Sequence, residues 1–502
     1  MPEVVNDGWS PQSPSGEGLA PKVAETHVSL LVFAGDRVYK LKKNVRTPFL
    51  DFSTTQLRRH ACEREVELNR RLAPDVYLGV AGVTGPDGEP CDWLVVMRRM
   101  PPERRLARLA RDHERDDCIQ AVAEVVARFH RSATTGPEID AEGTRDALQA
   151  RWEANVEEVE PLSADLREPS LPGSIGRLAR EYLAGRKPLF DQRIAGGRIR
   201  DGHGDLLADD VFCLDDGPRI LDCLEFDDRL RYVDVLDDAC FLAMDLERIG
   251  GRALGEDFLA AYRKASEEDH PASLGHHYRA YRAHVRAKIA LIRHSQGDAD
   301  ALDEAAKLLR IALRHLQEGR VALVLVGGLP GTGKSTIARQ LGRDRNWTVL
   351  RSDEIRKQIA GMPPSARAEA GYGQGIYSAE MTDATYRTLL DQAGALLEQG
   401  EPVICDASWS KAAWREAFRQ LAERCRSPLI ELRCEAPAAV TTGRIAARAA
   451  GGGDPSDATA EVADAMAPEF DPWPGAARVD TSGDLPQTVE HARQLISRAL
   501  TE

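Results

Sequence analysis

Val321-Ala-Leu-Val-Leu-Val-Gly-Gly-Leu-Pro-Gly-Thr-Gly-Lys-Ser-Thr-Ile-Ala-Arg-Gln-Leu-Gly342 is the stretch on which the fold turns. It opens with a uniformly apolar run, Val321 to Val326, as expected of a strand covered on both faces. Gly328 to Ser335 then fits the spacing Gly-x-x-x-x-Gly-Lys-Ser, and a helical pattern follows from Thr336 to Gly342. Strand, glycine-rich turn and helix in that order let backbone N–H groups wrap phosphate oxygens, and the helix N-terminus adds favourable potential. The expected ATP-binding set is Gly328, Leu329, Pro330, Gly331, Thr332, Gly333, Lys334, Ser335 and Thr336. Lys334 is placed on the β- and γ-phosphates and Ser335 on Mg2+.

Further strands are predicted at Trp347 to Arg351, Pro402 to Cys405, Leu429 to Cys434 and Ala477 to Asp480, separated by helical stretches. That alternation predicts an α/β P-loop domain with a parallel sheet over residues 318–502. Asp353 and Arg356 fall just past the second strand, at the sheet end that faces a ligand crevice. Asp353 is a candidate base for a substrate hydroxyl or a helix N-cap, and Arg356 a candidate substrate-binding residue. Asp406 ends another strand, where a metal and its waters are expected. Arg444 and Arg448 lie one helical turn apart before a glycine-rich segment, so they form either a lid that neutralises developing charge or a solvated face.

Gly328 to Ser335, Ser352-Asp-x-x-Arg356, Ile404-Cys-Asp-Ala407, and Arg444-x-x-x-Arg448 with Ser456-Asp-Ala458 resemble the P-loop kinases related to zeta toxins and polynucleotide 5′-kinase. The resemblance implies transfer from ATP to a hydroxyl, with Asp353 as base, Lys334 in the catalytic set, and Arg444 and Arg448 as lid residues.

The chain upstream reads differently. Val28 to Phe33 and Asp36 to Lys42 suggest a hairpin around Gly35, followed by a helix over Thr54 to Leu72 and strands at Tyr77 to Val83 and Trp93 to Met97. After Pro101-Pro102 long amphipathic stretches dominate, among them Tyr278 to Arg314, with an acidic β-like interval at Ile199 to Asp245. His203-Gly-Asp205, and Asp222 beyond a short apolar run, give the pair of carboxylates that kinase chemistry uses: one near the acceptor, one on the metal. Lys40 or Lys42, with Glu65 on the intervening helix, supplies the lysine–glutamate pair that holds ATP phosphates in protein-kinase-like folds.

Together with Arg64 to Leu72, Ala127 to His130 and Asp234 to Asp238, these residues resemble the aminoglycoside phosphotransferase family, an α+β protein-kinase-like two-lobe fold. The resemblance implies Asp205 as catalytic base, Asp222 as a metal ligand and Lys40 or Lys42 on ATP. Asp210 stands where that family carries Asn; it can still bind Mg2+ but adds negative charge beside Asp205 and Asp222. His130 and His203 are expected to be structural. The domain reading is a disordered tail at 1–21, the kinase-like domain at 22–317 (β-rich lobe 22–100, helical lobe 101–317), and the P-loop domain at 318–502.

The 502 residues carry a formal charge of −14, and aromatics make up 6% of them, which argues against a nucleic-acid partner and for a small-molecule hydroxyl acceptor. A polynucleotide 5′-kinase and a non-catalytic ATP-dependent regulatory or toxin–antitoxin-like protein are the alternatives. No apolar run approaches membrane-spanning length, so no membrane partner and a cytoplasmic location are expected. Nine cysteines without metal-type clustering are expected to be reduced thiols.

Overall fold

The computed structural model describes residues 22–501 apart from 27, 47–50, 87, 113–117, 364–372 and 452–458, with the backbone alone at 448–451. The tail at 1–21 lies outside the described residues. The chain forms two compact units: Arg193–Asp269 with the chain up to Ala147, and Leu148–Gln192 with the chain from His270 onward. These divisions do not fall at residue 317, where the sequence reading put its boundary.

The first unit is built on an antiparallel sheet of β1 (Lys22–Glu25), β2 (Ser29–Ala34), β3 (Arg37–Lys42), β4 (Tyr77–Thr84) and β5 (Pro90–Arg98), in the order β1-β2-β3-β5-β4. The expected β2–β3 hairpin turns at Gly35, whose φ of 60° suits glycine. Between β3 and β4 the helix Thr55–Asn69 starts where the Thr54 hydroxyl accepts from the Leu57 N–H at 3.2 Å. Cys62 and Val66 on this helix pack with Val38, Val76, Tyr77, Val95 and Met97, and the same inward face carries Glu65 into the core. Two short ladders follow, β6 (Ile199–Asp201) with β9 (Tyr232–Asp234), and β7 (Val211–Leu214) with β8 (Gly217–Ile220). The buried helix Val235–Gly250 comes next. The antiparallel sheet with its inserted helix, followed by helices and a small acidic loop region, is the kinase-like α+β plan read from the sequence.

The second unit holds a wholly parallel sheet of β10 (Leu323–Gly327), β11 (Thr348–Arg351), β12 (Val403–Asp406), β13 (Leu429–Glu435) and β14 (Ala477–Asp480), ordered β11-β12-β10-β13-β14. This is the P-loop α/β fold that the apolar strands and intervening helices imply. Val324, Val326, Ile337, Leu341, Ile404, Leu432, Val479 and Ile496 make its core, which fixes the loop after β10 against rigid elements. The stretch Tyr278 to Arg314, read as one amphipathic run, is two helices, Ala272–Ser295 and Ala301–Glu318; Gly297, at φ 103°, lies in the break.

Cys118 and Cys213 form a disulfide, a correction to the expectation that all cysteines are reduced thiols. Their Cα atoms lie 6.0 Å apart, within bonding reach, although 95 residues separate them in the chain, so spacing alone gave no hint. Among the described residues no helix is long and apolar enough to cross a membrane.

Candidate active sites

In the second unit the chain leaves β10 through Gly328 (φ 138°), Gly331 (φ 81°) and Gly333 (φ 82°), then enters the helix Lys334–Arg345. A Cβ on Gly328 would stand 2.4 Å from the Cys434 carbonyl oxygen, and one on Gly331 would stand 2.7 Å from that of Thr441. Neither position accommodates a side chain. The loop is pinned by Gly328 N–H to the Ser408 carbonyl (3.2 Å), Thr332 hydroxyl to the Leu329 carbonyl (2.7 Å), and Thr481 hydroxyl to the Thr332 carbonyl (2.6 Å).

Strand register sets the acids and bases around it. Asp406 is paired with Val326 on β10 and with Arg351 on β11, so the ends of these strands lie in a row beside the loop. Asp406 is buried, and its Oδ2 accepts from Arg351 Nε at 3.1 Å. Its Oδ1 is buried without a hydrogen-bond partner. Burial pushes the Asp406 carboxyl above the usual carboxylate range, against the opposing pull of Lys334, the Ser335 hydroxyl and Arg351. A buried carboxylate with Lys334 and the Ser335 hydroxyl beside it at the start of the loop helix fits a hard divalent cation with oxygen ligands.

Asp353 is half-buried in the first turn of the helix Ser352–Ile359 and close enough to act electrostatically on Asp406 and Tyr386. It is not the cap, because Arg351 holds that position. Arg356 is buried, its Nη1 donating to the Ile376 carbonyl (3.0 Å) and to the Thr382 hydroxyl (3.1 Å), with its guanidinium over the Tyr377 ring. Arg444 donates to the Thr481 hydroxyl (3.2 Å) and carbonyl (2.6 Å), beside Gly333. Arg448 lies on the helix Ala438–Gly451, but its side chain, like the Ser456 to Ala458 segment, is outside what the structure describes. Trp409 is fully buried against Tyr386 and Phe418, a packing residue.

The first unit brings together Lys40, Lys42, Glu65 and Asp222. Lys40 Nζ lies 2.9 Å from Glu65 and 2.7 Å from Asp222, so it bridges the helix to the acidic loop. Lys42 Nζ lies 2.6 Å from the other Glu65 oxygen and pairs also with Glu225. Burial alone would depress the Lys40 ammonium, but Asp222, Glu65 and Glu225 outweigh it and hold its pKa well above the ordinary lysine value. Burial would likewise raise Glu65, yet the two lysines keep it below its usual value.

Asp222 has φ 62°, an uncommon backbone state for this residue, and its N–H donates to the Tyr77 hydroxyl at 3.1 Å. Asp205 and Asp210 lie near it. Burial first, and then Asp222, Asp205 and Asp209, push the Asp210 carboxyl well above the usual range. The His-Gly-Asp turn hangs from Asp238, which accepts from the N–H groups of His203 (2.6 Å) and Gly204 (3.0 Å) and lies 3.2 Å from His130 Nε2. His203 Nε2 lies 3.0 Å from the Leu221 carbonyl oxygen. Both histidines are buried and hydrogen-bonded within the scaffold.

Sequence reasoning gave no role to Glu225, Arg351 or Asp238. Glu225 was open to detection, since two lysines on one strand face leave a second buried ammonium that Glu65 alone does not balance. Arg351 gave no such signal, because a register had to be built first, and Asp238 stood out only as part of the Asp234 to Asp238 motif, without a role.

A family model described as an AAA domain matches residues 323–473, the part that carries the glycine-rich loop. A sugar kinase from Janibacter sp. HTCC2649 is 21% identical and aligns with 35% of this chain and 94% of its own, at a TM-score of 0.27. A choline/ethanolamine kinase family protein from Mesorhizobium loti is 15% identical and aligns with 59% of this chain and 91% of its own, at a TM-score of 0.38. Over 501 residues, 100% of both chains, the sequence is 41% identical to "Uncharacterized protein Rv2004c" of Mycobacterium tuberculosis. With a relative of that identity aligned over the full length of both chains, the chain belongs to the family of this mycobacterial protein.

Proposed function

We propose that this protein is an ATP-dependent phosphotransferase in which the P-loop unit phosphorylates the hydroxyl of a small-molecule acceptor. The observation that carries the reading is Asp406, held at the strand ends by Arg351 with its Oδ1 unpaired beside Lys334 and Ser335. Ser335 and Asp406 would hold Mg2+, which supplies neutralisation of phosphate charge when bound. The backbone N–H groups of Gly331, Gly333, Lys334 and Ser335 and the Lys334 ammonium hold the triphosphate, and Arg444 adds a cation at the loop's end. Asp353 takes the proton of the acceptor hydroxyl. The acceptor oxygen forms its bond to the γ-phosphorus as the bridging bond to the β-phosphate breaks, and ADP leaves. Arg356, braced by Thr382 and Tyr377, orients the acceptor.

The first unit is proposed as a second nucleotide site, with Lys40 on the phosphates, Asp222 and Asp210 as metal ligands and Asp205 as base. Glu65 positions Lys40, and Asp238 positions the turn that carries Asp205.

The acidic chain favours a small acceptor over a polynucleotide, whose binding would need many phosphate contacts. The test is transfer of labelled phosphate from ATP by the full-length protein to sugars, nucleosides, amino alcohols and 5′-hydroxyl DNA and RNA at physiological salt. Asp353→Asn and Asp205→Asn variants assign any activity to one unit or the other. Efficient, Asp353-dependent labelling of the oligonucleotides would overturn the small-molecule reading, and turnover indifferent to both substitutions would overturn the sites.

A further inference from the structure

In the second unit, the helices Ala272–Ser295 and Ala301–Glu318 bring His276, His315 and Glu318 together. His315 and Glu318 are three residues apart on the final turn of their helix, so they share a face, and His276 meets them from the other helix. The two Nδ1 atoms are 2.9 Å apart, a Glu318 carboxylate oxygen is 3.8 Å from His276 Nδ1, and all the candidate donor atoms lie within 4.8 Å of one another.

We propose that these side chains form a binding site for a divalent transition-metal ion of the zinc type. Nitrogen and oxygen ligands at about 2.0–2.1 Å in a tetrahedral array stand about 3.3 Å apart, and the distances found here bracket that value. Without a cation, two imidazole nitrogens at this separation share a single proton; a metal uses both lone pairs and the carboxylate charge at once. Imidazole ligands select zinc-type ions over Mg2+ and Ca2+, which prefer all-oxygen sites. The location adds to the affinity, because the C-terminal end of a helix carries partial negative charge. His315 is fully buried, whereas Glu318 is a third exposed and gives an entry path. Arg279 is a competing group: its Nη2 lies 3.5 Å from the same His276 nitrogen, a long contact that the cation displaces. Three protein ligands leave a coordination position for water or a further ligand.

The test uses full-length protein stripped with a chelator and titrated with Zn2+ against a chromophoric chelator, in the presence of excess Mg2+ to mask nucleotide sites. Wild type takes up one equivalent, and its melting temperature rises with added Zn2+. His276→Gln and Glu318→Gln each weaken that equivalent at least tenfold and lose the Zn2+-dependent shift, while their metal-free melting stays near wild type. The Glu318 position is exposed, so its variant remains informative even if His276→Gln folds poorly. No zinc uptake by wild type, or uptake and shift unchanged in Glu318→Gln, would overturn the site.

Discussion

Arg351 and Asp406 occupy paired positions on β11 and β12, and the guanidinium takes one carboxylate oxygen while leaving the other, buried, without a hydrogen bond. The pair therefore holds the carboxylate in place through Oδ2, where Lys334 and the Ser335 hydroxyl also act on it. Arg351 is anchored in turn by Glu354 at 2.8 Å. Because the pair is buried, removing one partner strands a charge. Arg351→Met is expected to destabilise the protein by ~3–5 kcal/mol, read from urea melts. Asp406→Asn keeps the shape, and its expected signature is a loss of Mg2+ dependence in nucleotide binding, measured by calorimetry.

Lys334→Ala should lower turnover by the P-loop unit by about 10²–10³ while circular dichroism stays unchanged, since Lys334 opens a helix at a half-buried site without supporting the core. The measurement is made in an Asp205→Asn background so that the first unit contributes nothing. Turnover equal to that of the background protein would remove Lys334 from the proposed mechanism.

Asp210 gives a pH prediction with a definite sign. Its folded pKa is raised, so the folded state binds more protons than the unfolded chain between the ordinary Asp value and the raised one. Stability from this group is present at acid pH and declines as pH rises through that window. Asp210→Asn removes the decline: in metal-free buffer the variant should gain stability relative to wild type at pH 7 to 8 and show little gain near pH 4. Paired melts at the two pH values check it, and added Mg2+ should narrow the difference by stabilising the ionised Asp210.

Glu65 behaves in the opposite sense. Its folded pKa is depressed by Lys40 and Lys42, despite burial, so its contribution is present above the unfolded value and is lost as pH falls through the depressed one. Glu65→Gln leaves Lys40 paired with Asp222 and Lys42 with Glu225, so the cluster becomes formally neutral, but each lysine loses the buried carboxylate the two share. The expected outcome is a loss of stability at neutral pH that shrinks toward pH 3, followed by chemical denaturation.

Asp205→Asn and Asp222→Asn should separate chemistry from binding in the first unit. The former is expected to retain nucleotide affinity and lose phosphotransfer; the latter should weaken Mg2+-dependent nucleotide binding, because Lys40 loses its loop partner and the proposed metal loses a ligand. Equal Mg2+-dependent affinity in wild type and Asp222→Asn, by calorimetry, would refute that assignment.

Much of this was legible in the sequence because it depends on local chemistry. The glycines at 328, 331 and 333 announced a loop whose positive φ values and close backbone contacts require them. The apolar run to Val326 announced a buried parallel strand, and Glu65 on a helix after two lysines announced the ion-pair cluster. What stayed hidden depends on register and closure. Arg351 became part of the site only because β11 lies beside β12, and Asp238 only because its helix returns beneath the His-Gly-Asp turn. Cys118 and Cys213 meet across 95 residues of chain, and the break at Gly297 interrupts a periodicity that continues on both sides of it.

The division of the chain into units also limits how the protein can be dissected. Because Leu148–Gln192 belongs with the residues from His270 onward, the backbone crosses from one unit to the other more than once. No single cut, by protease or by gene truncation, yields both halves whole. A fragment beginning at Gly319 keeps the entire parallel sheet yet forfeits the helices Leu171–Ala184, Ala272–Ser295 and Ala301–Glu318 of its own unit. Such a fragment loses, for example, Arg186, whose guanidinium reaches the Cys425 carbonyl and the Ser427 hydroxyl. Point substitutions in the full chain, which leave both discontinuous units whole, are therefore the way to probe each unit by itself.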